Sequence, residues 1–357
     1  MEQPNITELH AKAVRLLQQL IAIPSFSREE DQTAALILDF LKTEGVHAVR
    51  YQNNVWAMNK HFGPGKPTIL LNSHHDTVKP NSGYTREPFR ATIEDGKLFG
   101  LGSNDAGGPL VSLLAAFLHF HQRENLPFNL VMAATAEEEI SGKNGIEALL
   151  HHLPPIDCAI VGEPTLLKAA VAEKGLMVLD CVSKGAAGHA AREEGVNAIY
   201  EALPDIEWFR TYRFPKVSDA LGPVKMSVTV IQAGQAHNQV PPECRFTVDV
   251  RATDAYPLEE LLAIIRAHVK CEVTPRSVRL QPSAIPMDHM LVRAALKTGC
   301  ETYGSPTTSD QALIPVPSMK LGPGDSARSH TANEFIHVQE IHDGIRRYIS
   351  LLDNIGD

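Results

Sequence analysis

The sequence predicts an α/β fold: a mainly parallel sheet sandwiched by helices, interrupted by an inserted βαββαβ module of ferredoxin-like type. Short, wholly apolar runs at 68–71, 130–134 and 158–161 are separated by helix-like stretches, as expected of strands covered on both faces. Between about 175 and 280 the strands instead alternate apolar and polar residues, as in RFTVDV at 245–250, leaving one face for water or a partner. A chain of 357 residues also suits two domains better than one.

In order along the chain, residues 7–21 place Leu9, Val14, Leu17 and Ile21 near a helical period, and 28–44 does the same with Ala34, Leu38 and Leu41. The strand at 68–71 follows, then a helix at 109–121 and the strands at 130–134 and 158–161. The inserted module has a strand at 176–182, a helix at 196–212 and strands at 225–231 and 244–250. A helix at 258–269 and a strand at 276–280 complete it. After 281 the first style returns, with a strand at 319–321 and a closing helix at 339–352. The expected domains are 1–174 together with 281–357, and 175–280 between them.

The charge balance of 33 basic against 42 acidic residues gives −9, which disfavours a nucleic-acid or anionic-membrane binder. Cys158, Cys181, Cys244, Cys271 and Cys300 are scattered and form no C-x-x-C pair, so neither a disulfide framework nor a thiolate metal site is expected. The opening MEQPNITELH has no basic-then-apolar order, and no apolar run approaches the ~18 residues that span a bilayer. A reducing cytoplasm is the expected setting.

Function is indicated by where the polar residues fall. TILLNS runs into His74, His75 and Asp76; NLVMAATA into Glu137, Glu138 and Glu139; CAIVG into Glu163; and SMKLG into a Gly/Ser loop reaching His330. In open α/β sheets, ligands gather outside the carboxyl ends of the strands. GLGSNDAGG adds Asp105 in a glycine-rich loop before the helix at 109. Imidazoles with several carboxylates and no cysteine suit a borderline divalent metal, zinc first, with cobalt or manganese as substitutes. Five ligands exceed one catalytic zinc and suffice for two if a carboxylate bridges. His74 and Glu163 would share Asp105 with Glu139 and His330, across roughly 3.5–4 Å. Asp76 can orient the ring of His74, and Glu138 is free to act as general base.

Each fragment alone has a simpler reading. With sixteen histidines, a surface role is the default for His75, His119, His121, His151, His152, His289, His337 and His342. Glutamate runs usually mark a solvated helix start. GLGSNDAGG lacks the third glycine of a dinucleotide fingerprint, and GPGKPT has no P-loop spacing. It is the ordered series, each member closing an apolar run, that favours a site.

SHHDTV, GLGSNDAGG, AEEEISG, VGEPT, GAAGH, HNQVPP and GPGDSARSH together resemble the acetylornithine deacetylase and succinyl-diaminopimelate desuccinylase family of dinuclear zinc amidohydrolases. The resemblance runs over nearly the whole chain. It implies a zinc-peptidase-like catalytic domain with two zincs per chain and a lid and dimerisation domain inserted, hence a homodimer. It implies metal ligands at His74, Asp105, Glu139, Glu163 and His330, an orienting acid at Asp76 and the base at Glu138. It further implies that His189 stabilises the oxyanion across the dimer, that Asn238 lies near substrate and that Arg251 holds a substrate carboxylate. Lys174 and Arg328 are additional basic candidates. The simpler reading of His189 is a turn histidine, and of Arg251 a strand-end charge. Two departures stand out. Three glutamates replace the family's D-E-E, so a one-residue shift would move base and ligand together; and Ala-Gly-Gly follows Asp105 where Met-Lys-Gly is frequent.

The implied activity is hydrolysis of an N-acyl amino acid, of acetyl- or succinyl-ornithine or citrulline type, in arginine biosynthesis. Succinyl-diaminopimelate desuccinylase, or a dipeptidase or carboxypeptidase, is the alternative within the family. A non-catalytic binder of acyl amino acids is the alternative outside it. No nucleic-acid or membrane partner is expected.

Overall fold

The computed structural model describes residues 5–192 and 194–356. It divides into two units: Met1–Val171 with Ala284–Tyr303 and Ser309–Asp357, and Ala172–Ser283 with Gly304–Thr308.

In the first unit the strands run in the order Ala48–Tyr51, Asn54–Met58, Asn129–Thr135, Thr68–His74, Cys158–Val161, Ser318–Lys320. The last four are mutually parallel, and the first two form an antiparallel hairpin that joins them. Why the parallel strands lack alternation is plain from the core. Ile69 and Leu71 pack with the helices of one face, whereas Leu70 packs with Ile146 and Leu149 on the other. The helix Gly108–His121 is buried at every position except His119, because Ile6–Ile21 and Val338–Asp353 pack against it. A helix apolar all round is what such an interior position requires. Asn5 caps the first of these helices by accepting the Thr7 N–H at 3.1 Å. The hairpin strands escaped the sequence reading because each is only four or five residues long.

The second unit is an antiparallel sheet in the order Lys225–Ala233, Glu243–Ala252, Gly175–Lys184, Glu272–Pro275. With the helices Ala198–Thr211 and Leu258–His268 this is the split βαβ topology. Met177, Leu179 and Cys181 face the helices, while Val178, Asp180 and Val182 between them are half-exposed. One strand differs from expectation: the last is Glu272–Pro275, not 276–280, of which Arg276 donates to the Val178 carbonyl at 2.9 Å and Leu280 forms an isolated bridge with Leu176. Pro275 ends an edge strand, where a missing N–H donor is tolerated. No helix among the described residues is long and apolar enough to cross a membrane.

Candidate metal centre

His74 closes the Thr68–His74 strand and is 1% exposed. Its Nδ1 lies 3.0 Å from the Asp76 carbonyl and 3.3 Å from the Asp76 carboxylate. A proton on Nδ1 directed at these acceptors leaves the Nε2 lone pair outward. Nε2 sits 3.3 Å from Asp105 Oδ1, 3.8 Å from Glu138 Oε2 and 3.9 Å from Glu163 Oε1. The Asp76 carboxylate has a second task that the H-x-D spacing does not reveal. It accepts the N–H groups of Glu138 and Glu139 at 3.0 and 3.2 Å and the Ser27 hydroxyl at 2.7 Å. One buried acid thus ties the end of one strand to the turn after the next.

That turn is the short 3-10 segment Glu138–Ile140, entered through Glu137 at φ 57°. The glutamates separate by direction. Glu137 turns away, its carboxylate accepting the Asn144 side-chain N–H at 2.9 Å. Glu138 faces His74, and Glu139 Oε2 lies 2.9 Å from His330 Nε2. His330 is 54% exposed, takes a left-handed backbone at φ 59°, and stands 3.6 Å from Asp105 Oδ2. The two oxygens of Asp105 therefore point to different histidines. One potential ligand atom each from His74, Asp105 and Glu139 lies within 4.8 Å of the other two.

The donor set fits divalent cations, and the electrostatics say why. Burial, then the charge of Asp105, pushes Glu163 up to about 8. Burial, only partly offset by His74, holds Glu138 well above the carboxylate range, with Glu163, Asp310 and Glu139 adding to the rise. Burial would lower His74, yet Glu138, Asp105 and Asp76 raise it well above its usual value. Carboxylates crowded this way in a low-dielectric pocket repel one another, and bound dications reverse that logic.

Several buried residues near the centre went unnoticed in the sequence. Glu334, 2% exposed, accepts the backbone N–H groups of Gly102, Asn104 and Asp105 at 3.0, 2.8 and 2.9 Å. Burial and Asp105 push it up to about 7. Asp310 accepts Asn72 Nδ2 at 2.9 Å and Thr135 Oγ1 at 2.8 Å, and burial raises it to about 6. The only signal for either was an acid inside a mostly uncharged loop. His75 and His121, expected at the surface, are buried. His75 sits 2.9 Å from both Thr33 Oγ1 and the Asn53 carbonyl, and burial lowers it to about 4, which keeps it neutral.

Arg328 is spent elsewhere: its guanidinium forms a two-pronged pair with Glu340 at 2.8 and 2.6 Å, at the N-terminus of the closing helix. The other four candidates belong to the second unit. His189 and Asn238 lie side by side, since His189 pairs with Gln239 and the Ala190 N–H reaches the Asn238 carbonyl at 3.1 Å; both are exposed. Arg251 is bracketed by Asp249 at 2.9 and 3.1 Å. Lys174 is 8% exposed and donates to the Pro223 carbonyl at 3.1 Å; burial, with Lys225 and Arg251 nearby, lowers its pKa.

Strand ends that converge imidazoles and carboxylates on one shared aspartate define the class. Residues 70–354 match the peptidase family M20/M25/M40, and the chain belongs to that family. It is 32% identical to a protein of Pyrobaculum aerophilum named as a LysW-lysine/LysW-ornithine hydrolase, over 91% of this chain and 92% of the other. It is 30% identical to the acetylornithine deacetylase of Erwinia tasmaniensis, over 90% and 92% of the two chains. Among solved structures it resembles the Bacillus subtilis YXEP protein, described as a dinuclear metal binding peptidase of the M20 family. That match has a TM-score of 0.72 at 17% identity and covers 98% of each chain. The family makes the protein a hydrolase.

Proposed function

We propose that this protein hydrolyses the amide bond of an N-acylated amino acid, with ornithine or a close analogue as the amine released. The carrying observation is the convergence of His74, Asp105, Glu138, Glu139, Glu163 and His330 around a common space. Both named relatives have ornithine in their names, which supports that product and a place in arginine biosynthesis. His74, Asp105 and Glu163 would hold one cation and Asp105, Glu139 and His330 the other, zinc being the metal this donor set suits best. When bound, the cations supply a polarised carbonyl and a more acidic water.

The protein's own groups do the rest. Glu138 takes a proton from the attacking water as its oxygen bonds to the acyl carbon, and passes that proton to the nitrogen as the C–N bond breaks. Asp76 keeps the His74 tautomer and the Glu138–Glu139 turn in register. Arg251 and Lys174 would hold the substrate carboxylate, with Asn238 beside it. His189 would stabilise the oxyanion from the partner subunit of a homodimer. An exposed Val230 and Ile231 on the unpaired edge of Lys225–Ala233 support that association. All five cysteines are buried free thiols, in keeping with a cytoplasmic setting.

The test is a zinc- or cobalt-loaded assay on N-acetyl and N-succinyl forms of ornithine, citrulline and diaminopimelate, with dipeptides alongside. Release of ornithine is expected. Turnover of dipeptides alone would replace the substrate, and metal uptake without turnover of any would indicate a binding protein.

A further inference from the structure

We propose that Glu334 is a positioning residue for the aspartate shared by the two halves of the centre. It clasps the backbone of the loop that carries Asp105 and thereby sets how tightly the second cation is held. This rests on the metal-centre reading above.

The loop has little of its own to hold it. Within it the Ser103 N–H bonds the Gly100 carbonyl and the Gly107 N–H the Gly102 carbonyl. The N–H groups of Gly102, Asn104 and Asp105 all go to the Glu334 carboxylate, one to Oε2 and two to Oε1. Backbone conformation leaves no slack either. Gly102 has φ 73°, and a Cβ there would meet Thr77 Cγ2 at 2.5 Å. With the loop pinned from below, the backbone from which Asp105 projects is fixed.

Glu334 is itself well anchored. Its carbonyl accepts the Gly100 N–H at 3.0 Å, and the residues that follow, Phe335–His337, pair with Lys97–Phe99. Four residues earlier the same segment delivers His330, whose carbonyl accepts Asn81 Nδ2 at 3.1 Å. Asn333 between them accepts the N–H groups of Thr85 and Arg86 at 3.0 and 2.9 Å. One five-residue strap thus supplies a ligand and fixes the backbone of another. A neutral acceptor could cap a loop at less cost. A buried carboxylate behind Asp105 brings two acidic groups close together, and the three N–H bonds to Glu334 offset that repulsion only in part.

The experiment uses the full-length protein and zinc titration by calorimetry, with metal content, kcat, KM and melting of the metal-free form. E334Q replaces one acceptor oxygen by an amide NH2 facing N–H donors, whereas E334D keeps charge and acceptors but shortens the reach. Wild type should take up two zincs. E334Q should retain the tighter ion and bind the weaker one about 10–100-fold less well, the usual scale for partners of metal ligands. Its kcat should fall with KM changed less than about threefold, the pattern of an interaction realised in the transition state. E334D should recover most of both. Equal zinc affinities in E334Q and wild type would overturn the proposal. So would equal weakening of both ions together with a lowered melting point that E334D does not restore, since that marks a loop cap alone. A wild type that binds fewer than two zincs would sink the underlying metal-centre reading instead.

Discussion

The two halves of the centre are built differently. His74 is buried at the end of a central strand, with its ring nitrogens facing Asp76 and Asp105. His330 is half-exposed on a loop, in a left-handed conformation, and depends on Glu139, Asn81 and the strap around it. The first half draws its histidine from a fully buried strand end of the sheet. In the second, side chains from distant segments must agree before the ligands meet. One half of the centre is therefore buried where the sheet ends, and the other is open to solvent on a loop.

The largest effects should come from residues common to both halves. D105A removes the carboxylate that lies between His74 and His330, so on the proposed reading metal analysis should show loss of at least one ion and turnover should disappear. E138Q should leave two ions bound while kcat drops about 10²–10⁴-fold, the range for a general acid–base group. Retained turnover in E138Q would break the assignment of the base.

Next come the histidines, where the halves should part. H74A leaves buried carboxylates without their partner, and the metal-free protein should lose about 3–5 kcal/mol, seen in denaturant melts. H330A should weaken metal binding while the metal-free protein loses less than it does in H74A, because the His330 ring is half-exposed although its partner Glu139 is buried. Equal destabilisation by both would erase the distinction. The open half also carries a pH signature. Hydrogen bonding to Glu139 raises His330 to about 9 in the metal-free protein. The bound proton favours the folded state fully below about 6.5, the unperturbed value, and that benefit is lost as pH rises toward 9. Zinc must displace the same proton, so its affinity should rise over that window, and H330Q should flatten both trends.

The same contrast explains what could be read from sequence. His74, Glu139 and Glu163 were legible because each follows a buried apolar run, and a strand end says where its side chains gather. Asp105 and His330 were legible only as loop residues in an ordered series, strengthened by family likeness. Glu334 and Asp310 stayed hidden because their partners are backbone N–H groups and side chains far along the chain. HTANEFI looks like any polar loop until the Asp105 segment is seen lying on it. His75 misled for the opposite reason. It neighbours His74 and is abundant in type, yet Thr33 and Asn53 use both ring nitrogens in the core.

The smallest expected effect on turnover falls on Arg328, which lies in the second half's loop and pairs with Glu340. It is 16% exposed, bonds Glu340 with both guanidinium prongs and stands 5.0 Å from the Phe335 ring centre. Glu340 in turn accepts the His337 N–H at 2.9 Å, closing the N-terminus of the final helix. Replacing Arg328 by methionine keeps the packing and removes the pair, so melting should reveal a loss of about 1–2 kcal/mol, between exposed and buried pairs. KM should be unchanged for every N-acyl substrate. A rise in KM confined to dicarboxylic substrates would place Arg328 in the substrate site, and with it the idea that the open half selects the acyl group.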